Sequence, residues 1–380
     1  MVLDGEASGR DAPAAMAGPA GPAQDLPSDV TQGALVQFSS DGKLLAVAFP
    51  NASDAAVVLD TATRQVVATI PASAARPARS VVGVAFSPDG ETLSVLTAVA
   101  GTVSDSITVQ RWPLTGGTVR PLSAGLQVHA PASSEGPVAS LSSDGSTLIA
   151  AEKTGLERWN LTATQPAGTL FGPADATAVQ LSANGAYVAA TVGNHTQVWN
   201  VATKSPYGQR IPTDGNTWEL SPDGTTLAVA DQLIAVELWN TATGEPLGAN
   251  LASGEATILM AFSADGNILA TTGAAGVQLW DIATSLPIGG VLPTADTPTS
   301  VALDPTGTGL ATASNFPVGA TASAEPVEGP AQLWEVSPLT PAQAAQAVCA
   351  QTGQTLSQPQ WNGYETGTPY IDVCPSNPAE

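Results

Sequence analysis

One pattern recurs seven times along this chain: a turn reading Ser-Pro-Asp-Gly or a close variant, a short apolar stretch, then a strand-like segment of the form Val-x-Leu-Trp-Asn/Asp. The turn glycines are Gly42, Gly90, Gly145, Gly185, Gly224, Gly266 and Gly307, spaced by 48, 55, 40, 39, 42 and 41 residues. The second marker falls at Trp112, Trp159, Trp199, Trp239, Trp280 and Trp334, with Leu59-Asp60 in its place in the first copy. A repeat of about this length is a single supersecondary unit that cannot bury its own apolar faces, so the copies must stack on one another.

The fifth copy shows how each unit is built. Apolar residues alternate on both sides of Ser221-Pro222-Asp223-Gly224, the period of a half-buried strand. Pro presets φ at the second turn position, Asp bonds its own backbone, and Gly accepts positive φ. The turn therefore joins a first strand to a second. Val236, Leu238 and Trp239 belong to a third strand, and Asn240–Gly244 turns the chain into a fourth, opened by Pro246-Leu247-Gly248. Proline suits such an outer strand, which need not donate every ladder bond. Four-stranded units stacked about an axis leave only short, protected edges once the ring closes. The expectation is an all-β, seven-bladed propeller over residues 20–337, with the Trp residues structural and packed between blades.

Ring closure follows from an incomplete last copy. Ala331–Val336 forms a third strand, and no fourth strand follows it. Leu26 precedes Phe38 by nearly the interval separating Leu251 from Phe262, so residues near 20–27 are expected to pair with the strand around 331–336. Residues 1–19, rich in Ala, Gly and Pro, read as a flexible leader. Residues 338–380 read as a helical cap. Thr340, Pro341 and Gln343 suit N-cap, N1 and N3 of a helix over 341–351, with a second one from Ser357, and Trp361, Tyr364 and Tyr370 would anchor the tail.

Charge removes several function classes. The formal net charge is -22, and none of the 11 Lys and Arg lies beyond residue 210. Nucleic acids and anionic membrane surfaces need a basic footprint, so neither is an expected partner. No apolar run approaches the roughly 20 residues of a membrane span, and the acidic N-terminus lacks the features of a secretion signal. The acidity suits a soluble monomer, and an acidic face for a basic partner is the sharper alternative. Cys349 and Cys374 match no metal spacing and could form one disulfide or stay reduced. The cytoplasm is the expected compartment, or an extracytoplasmic one if the pair is oxidised.

The Phe86-Ser-Pro-Asp-Gly90 turn, together with the segments ending at Trp239-Asn240 and Trp280-Asp281, resembles the WD-repeat β-propeller family over roughly residues 20–337. The Pro-x-Gly openings at Pro206, Pro246 and Pro287 and the tail around Cys349 and Cys374 resemble bacterial, in particular actinobacterial, members. The resemblance implies a scaffold or sensor for a protein partner in a signalling system. It also implies, in many members, a Gly-His pair bonded into a network with the blade Trp. Here His129 and His195 do not follow glycine, so that network should be missing and the blades held by apolar packing. Pro113 and Glu335 depart from the Asp or Asn usual after the Trp.

Chemistry finds little footing. No phosphate-binding Gly-x-x-x-x-Gly-Lys-Ser/Thr or Gly-x-Ser-x-Gly occurs, and two histidines, read as a turn residue (His195) and a loop residue (His129), make no cluster. The turn Asp residues recur once per blade around a ring, so they cannot converge on a metal or form an acid–base pair. No cofactor is expected. The alternatives are a lactonase-type hydrolase, suggested by residues 57–71, and a small-molecule sensor using the central channel. From turn Gly to Trp the count is 14 or 15 in blades three to six but 22 in blade two and 27 in blade seven, and 17 to Leu59 in blade one. These insertions single out the loop of Arg76 and Arg79, loops 99–106 and 125–136, and the Phe316 insertion at 314–330 as candidate partner-binding loops on the face opposite the Ser-Pro-Asp-Gly turns.

Overall fold

The computed structural model describes residues 24–25, 35–49, 54–71, 79–99, 106–114, 120–122, 125–129, 132–133, 136–163, 166–214, 217–230, 235–252, 256–294, 297–313 and 331–336. They are all-β, and their strands form seven four-stranded antiparallel sheets and one two-residue hairpin. The leader 1–19, the cap 338–380, Arg76, Phe316, Cys349 and Cys374 lie outside the described residues.

Blade one comprises Leu35–Phe38, Leu44–Ala48, Asp54–Asp60 and Val66–Pro71, in order from the inner strand outwards. Blade two is Arg79–Phe86, Thr92–Val99, Ser106–Pro113 and Leu126–His129. Blade three is Ala139–Leu141, Thr147–Glu152, Gly155–Asn160 and Gly168–Phe171, and blade four Ala178–Leu181, Tyr187–Val192, His195–Asn200 and Ser205–Pro212. Blade five is Trp218–Leu220, Thr226–Ala230, Ala235–Asn240 and Leu251–Ala252, and blade six Leu259–Phe262, Ile268–Gly273, Gly276–Asp281 and Leu286–Leu292. Blade seven takes Ser300–Leu303, Gly309–Ala313 and Gln332–Glu335 from the end of the repeats and Gln24–Asp25 from their start. Gln24 pairs with Leu333 and Asp25 with Gln332, so the ring closes with strands from both ends of the repeat array in one blade, as the truncated last copy predicted.

The Ser-Pro-Asp-Gly turn is a small hydrogen-bonded unit. In blade five Ser221 Oγ donates to Asp223 Oδ1 (2.6 Å) and accepts from Thr226 N–H (2.9 Å), while Asp223 Oδ1 accepts from Thr225 N–H (3.0 Å). Gly224 follows at φ 77°, where a β-carbon would be strained. Blade seven replaces the Ser by Asp304, which accepts from Thr306 and Thr308 N–H instead. The Asp or Asn after the Trp has a parallel task at the next turn. Asp60, Asn200, Asn240 and Asp281 each accept the N–H three residues on, at 2.7–3.0 Å. This is why that position favours Asx.

One expectation about the outer strands needs correction. In blades four and six Pro206 and Pro287 lie at the start of the outer strand as expected. In blade five Pro246 makes only an isolated bridge to Trp239, and the outer strand is reduced to Leu251–Ala252.

The core is distributed as one apolar cluster per blade interface. Blades seven and one share Val36, Phe38 and Leu59 with Ala311 and Ala313, and the other six interfaces are filled in the same way around the ring. Each Trp marker packs in the cluster toward the preceding blade, and in blade one Leu59 takes that place. Burying these faces is the dominant stabilising term, at about 25 cal/mol per Å².

Candidate functional site

The seven inner strands surround an axial channel. Each pairs with its own blade on one side only, so alternate amides are left facing the axis, and edge amides need partners. Side chains from the neighbouring blade supply some of them. Leu181 N–H donates to Ser140 Oγ (2.9 Å), Leu220 N–H to Gln180 Oε1 (2.8 Å) and Val36 N–H to Ser300 Oγ (3.1 Å). A cavity of about 400 Å³ lies among these strands, lined by polar side chains such as Gln37, Gln180, Glu219 and Ser300 alongside apolar residues of the inner strands; Leu181, Leu220 and Met260 lie mostly in the clusters between blades.

One position of the inner strand, two residues before the turn Ser, forms a tier around this axis. It is occupied by Gln37, Ala85, Ser140, Gln180, Glu219, Ala261 and Ala302. Among the described residues Glu219 is the one ionisable side chain that lines the cavity. Burial pushes its carboxyl up to about 8, against the opposing effect of a hydrogen bond from Gln180. Gln180 Oε1 itself accepts from the Leu220 amide. Sequence reasoning missed Glu219. Its only signal was a charged residue at an inward position of an otherwise apolar strand, Thr217-Trp-Glu-Leu220.

The turn carboxylates are of the other kind. Hydrogen bonding to Lys43 lowers Asp41 to about 2, helped by the Lys43 amide and Ser39. At Asp223 burial pushes upward, but the Ser221 and Thr225 donors outweigh it and the carboxyl lies below its usual range. Among the described residues no three His, Cys, Asp or Glu gather to hold a metal ion, and no helix is long and apolar enough to cross a membrane.

Six indole groups divide two ways. Trp280 Nε1 donates to Thr271 Oγ1 (2.9 Å) and Trp334 Nε1 to Thr312 Oγ1 (3.4 Å), whereas Trp112, Trp159, Trp199 and Trp239 have buried Nε1 atoms with no hydrogen-bond partner among the described residues. The division follows the second strand. The residue five after the turn Gly is Thr in blades six and seven and Val95, Ala150, Ala190 or Val229 in blades two to five. The polar link to the blade Trp, expected to be missing throughout, is therefore present in two blades, with Thr as the acceptor.

The candidate loops are only partly as expected. His129 ends the outer strand of blade two, and its Nδ1 lies 2.9 Å from Glu152 Oε1 of blade three. The segment 125–136 is thus largely the strand Leu126–His129 and part of the hairpin pairing Ala132–Ser133 with Gly136–Pro137. Much of blade two's excess lies between Pro113 and Leu126, on the face of the Ser-Pro-Asp-Gly turns and not the opposite one. His195 begins the third strand of blade four rather than sitting in the turn before it. Arg79 begins the inner strand of blade two and pairs with Val99. Blade two is itself longer than the others: its first three strands run 8 residues each, against inner strands of 3 or 4 elsewhere. A bulge between Val81 and Gly83 accommodates the extension, which rises as a crest on the face opposite the Ser-Pro-Asp-Gly turns.

No family model matches the sequence, and no curated protein matches it. Among solved structures, a chain in "Crystal Structure of Mitotic Checkpoint Complex" is similar, with a TM-score of 0.56 and 16% identity over 88% of this chain and 100% of that one. At that identity the likeness is one of fold, and it agrees with the closed ring of seven blades described above.

Proposed function

We propose that this chain is a non-catalytic, monomeric scaffold that binds a protein partner through the crest of blade two and the neighbouring insertions of blades seven and one, within a bacterial signalling system. The observation that carries this reading is the crest itself. A ring held by near-identical blades has no packing reason to extend one of them, and functional segments concentrate where a rigid scaffold presents an irregular element. The structurally similar chain belongs to a complex, which fits a propeller used for assembly, although fold alone does not specify function. The bacterial setting rests on the resemblance of the repeats and tail. A hydrolase would need several converging polar groups, and the channel lining offers one ionisable side chain, Glu219.

The test replaces residues 97–108 by Asn-Gly, joining Leu96 directly to Val109 through a two-residue hairpin turn. Proteins captured from the source organism by the wild type and lost by this variant, at unchanged circular dichroism, support the reading. Equal capture by both places the contact elsewhere.

A further inference from the structure

We propose that the central channel is a binding site for a small organic ammonium ion, held by the Glu219 carboxylate beside the Gln180 amide. This goes beyond the scaffold reading and stands on the channel alone, so either can fail without the other.

Four observations converge on it. The cavity, at about 400 Å³, falls at the small end of the range for ligand sites, and the polar side chains of Gln37, Gln180, Glu219 and Ser300 line it. Glu219 is an acid without a cation: among the described residues no Lys, Arg or His lines the cavity, and the neighbouring Gln180 side chain is neutral. Burial without a counter-charge is what pushes its carboxyl up to about 8, so at neutral pH it is held mainly as the acid. The protein's charge of -22 attracts cations in general. A ligand ammonium would supply the missing counter-charge, and Glu219 would give its proton to solvent as the ion pair forms. A hard metal ion fits less well, since Ca²⁺ takes 6–8 oxygen ligands, often several of them carboxylate, and a single carboxylate is present.

The experiment titrates butylammonium chloride and, separately, 1-butanol into the full chain by calorimetry between pH 6 and 9. The ammonium is expected to bind and the alcohol of similar length not to. Since the competent fraction is the ionised one, affinity for the ammonium should rise roughly 50-fold from pH 6 to pH 8, with buffer-dependent heats reporting the released proton. Glu219→Gln should lose at least tenfold of the affinity with its melting temperature preserved or raised. On the wild type alone, the Glu219 carboxyl followed by ¹³C NMR should titrate at a lower pH when the ammonium is present. Equal affinity in Glu219→Gln, affinity independent of pH, or a Glu219 titration unmoved by saturating ammonium would each overturn the proposal.

Discussion

Exchanging the acceptor beside the blade Trp between two blades should move stability in opposite directions. In blade six Thr271 Oγ1 accepts the Trp280 indole N–H at 2.9 Å and lies 3.4 Å from Gln278 O, to which it donates. In blade five the equivalent Val229 leaves Trp239 Nε1 without a partner, although the register is the same: Leu227 faces Trp239 as Leu269 faces Trp280. Both positions are buried, at 4% and 3% exposure, so solvent cannot stand in for the missing acceptor. A buried unsatisfied donor costs about 1–3 kcal/mol, and a completed hydrogen bond contributes about 1 kcal/mol net. Val229→Thr should therefore stabilise by about 1 kcal/mol, and Thr271→Val should destabilise by about 1–2 kcal/mol. For a chain of 380 residues each kcal/mol shifts the melting temperature by about 1 °C. Denaturant titration and thermal melts measure both, and indole N–H exchange reports protection of Trp239 directly. The control is Val229→Thr in a Trp239→Phe background, where no donor remains and the gain should vanish. An equal gain with Phe, or destabilisation by Val229→Thr in the wild type, would refute the hydrogen-bond account and leave packing as the explanation.

Other outcomes follow from the same geometry. Asp41, Asp89 and Asp223 have folded-state values below their unfolded ones, so the stability they contribute is full above about pH 4 and is lost as pH falls through the folded values; acid unfolding should lie between about pH 4 and 2, and Asp223→Asn should flatten it in a pH-resolved denaturant series. Glu219 has the opposite sign. Its folded value is raised, so stability is full below about pH 4.5 and declines as pH rises toward 8; Glu219→Gln should match the wild type at pH 4.5 and exceed its melting temperature at pH 8.5. Deleting residues 1–27 removes the Gln24–Asp25 strand and exposes the edge at Gln332–Glu335, so the melting temperature should fall by several degrees, while deleting 1–19 should change it little.

Much of the architecture was legible because it is written in local chemistry. Pro, Asp and Gly at fixed turn positions encode hairpins, alternation encodes half-buried strands, and a last copy lacking its fourth strand encodes closure by Gln24–Asp25. Each depends on residues close together in the chain or on simple counting of repeats. The blade two crest was visible only as surplus residues. Their division between longer strands and the 114–125 connection depends on which pairings win, and the Val81–Gly83 bulge leaves no mark in the pattern. The indole acceptors Thr271 and Thr312 stand in the chain five residues after the turn Gly, but Thr is an ordinary strand residue and nothing local marks it as a partner of the Trp.

The amino-acid sequence alone thus determined blade number, turn chemistry and the manner of closure, since these follow from short-range preferences repeated seven times. Only the tertiary structure decided what faces what. Gln180 and Glu219 are 39 residues apart and ordinary where they stand in the chain. Curling the sheets into a ring brings them side by side on one axis, and removing water from a lone carboxyl there turns an inconspicuous glutamate into the most perturbed group of the channel.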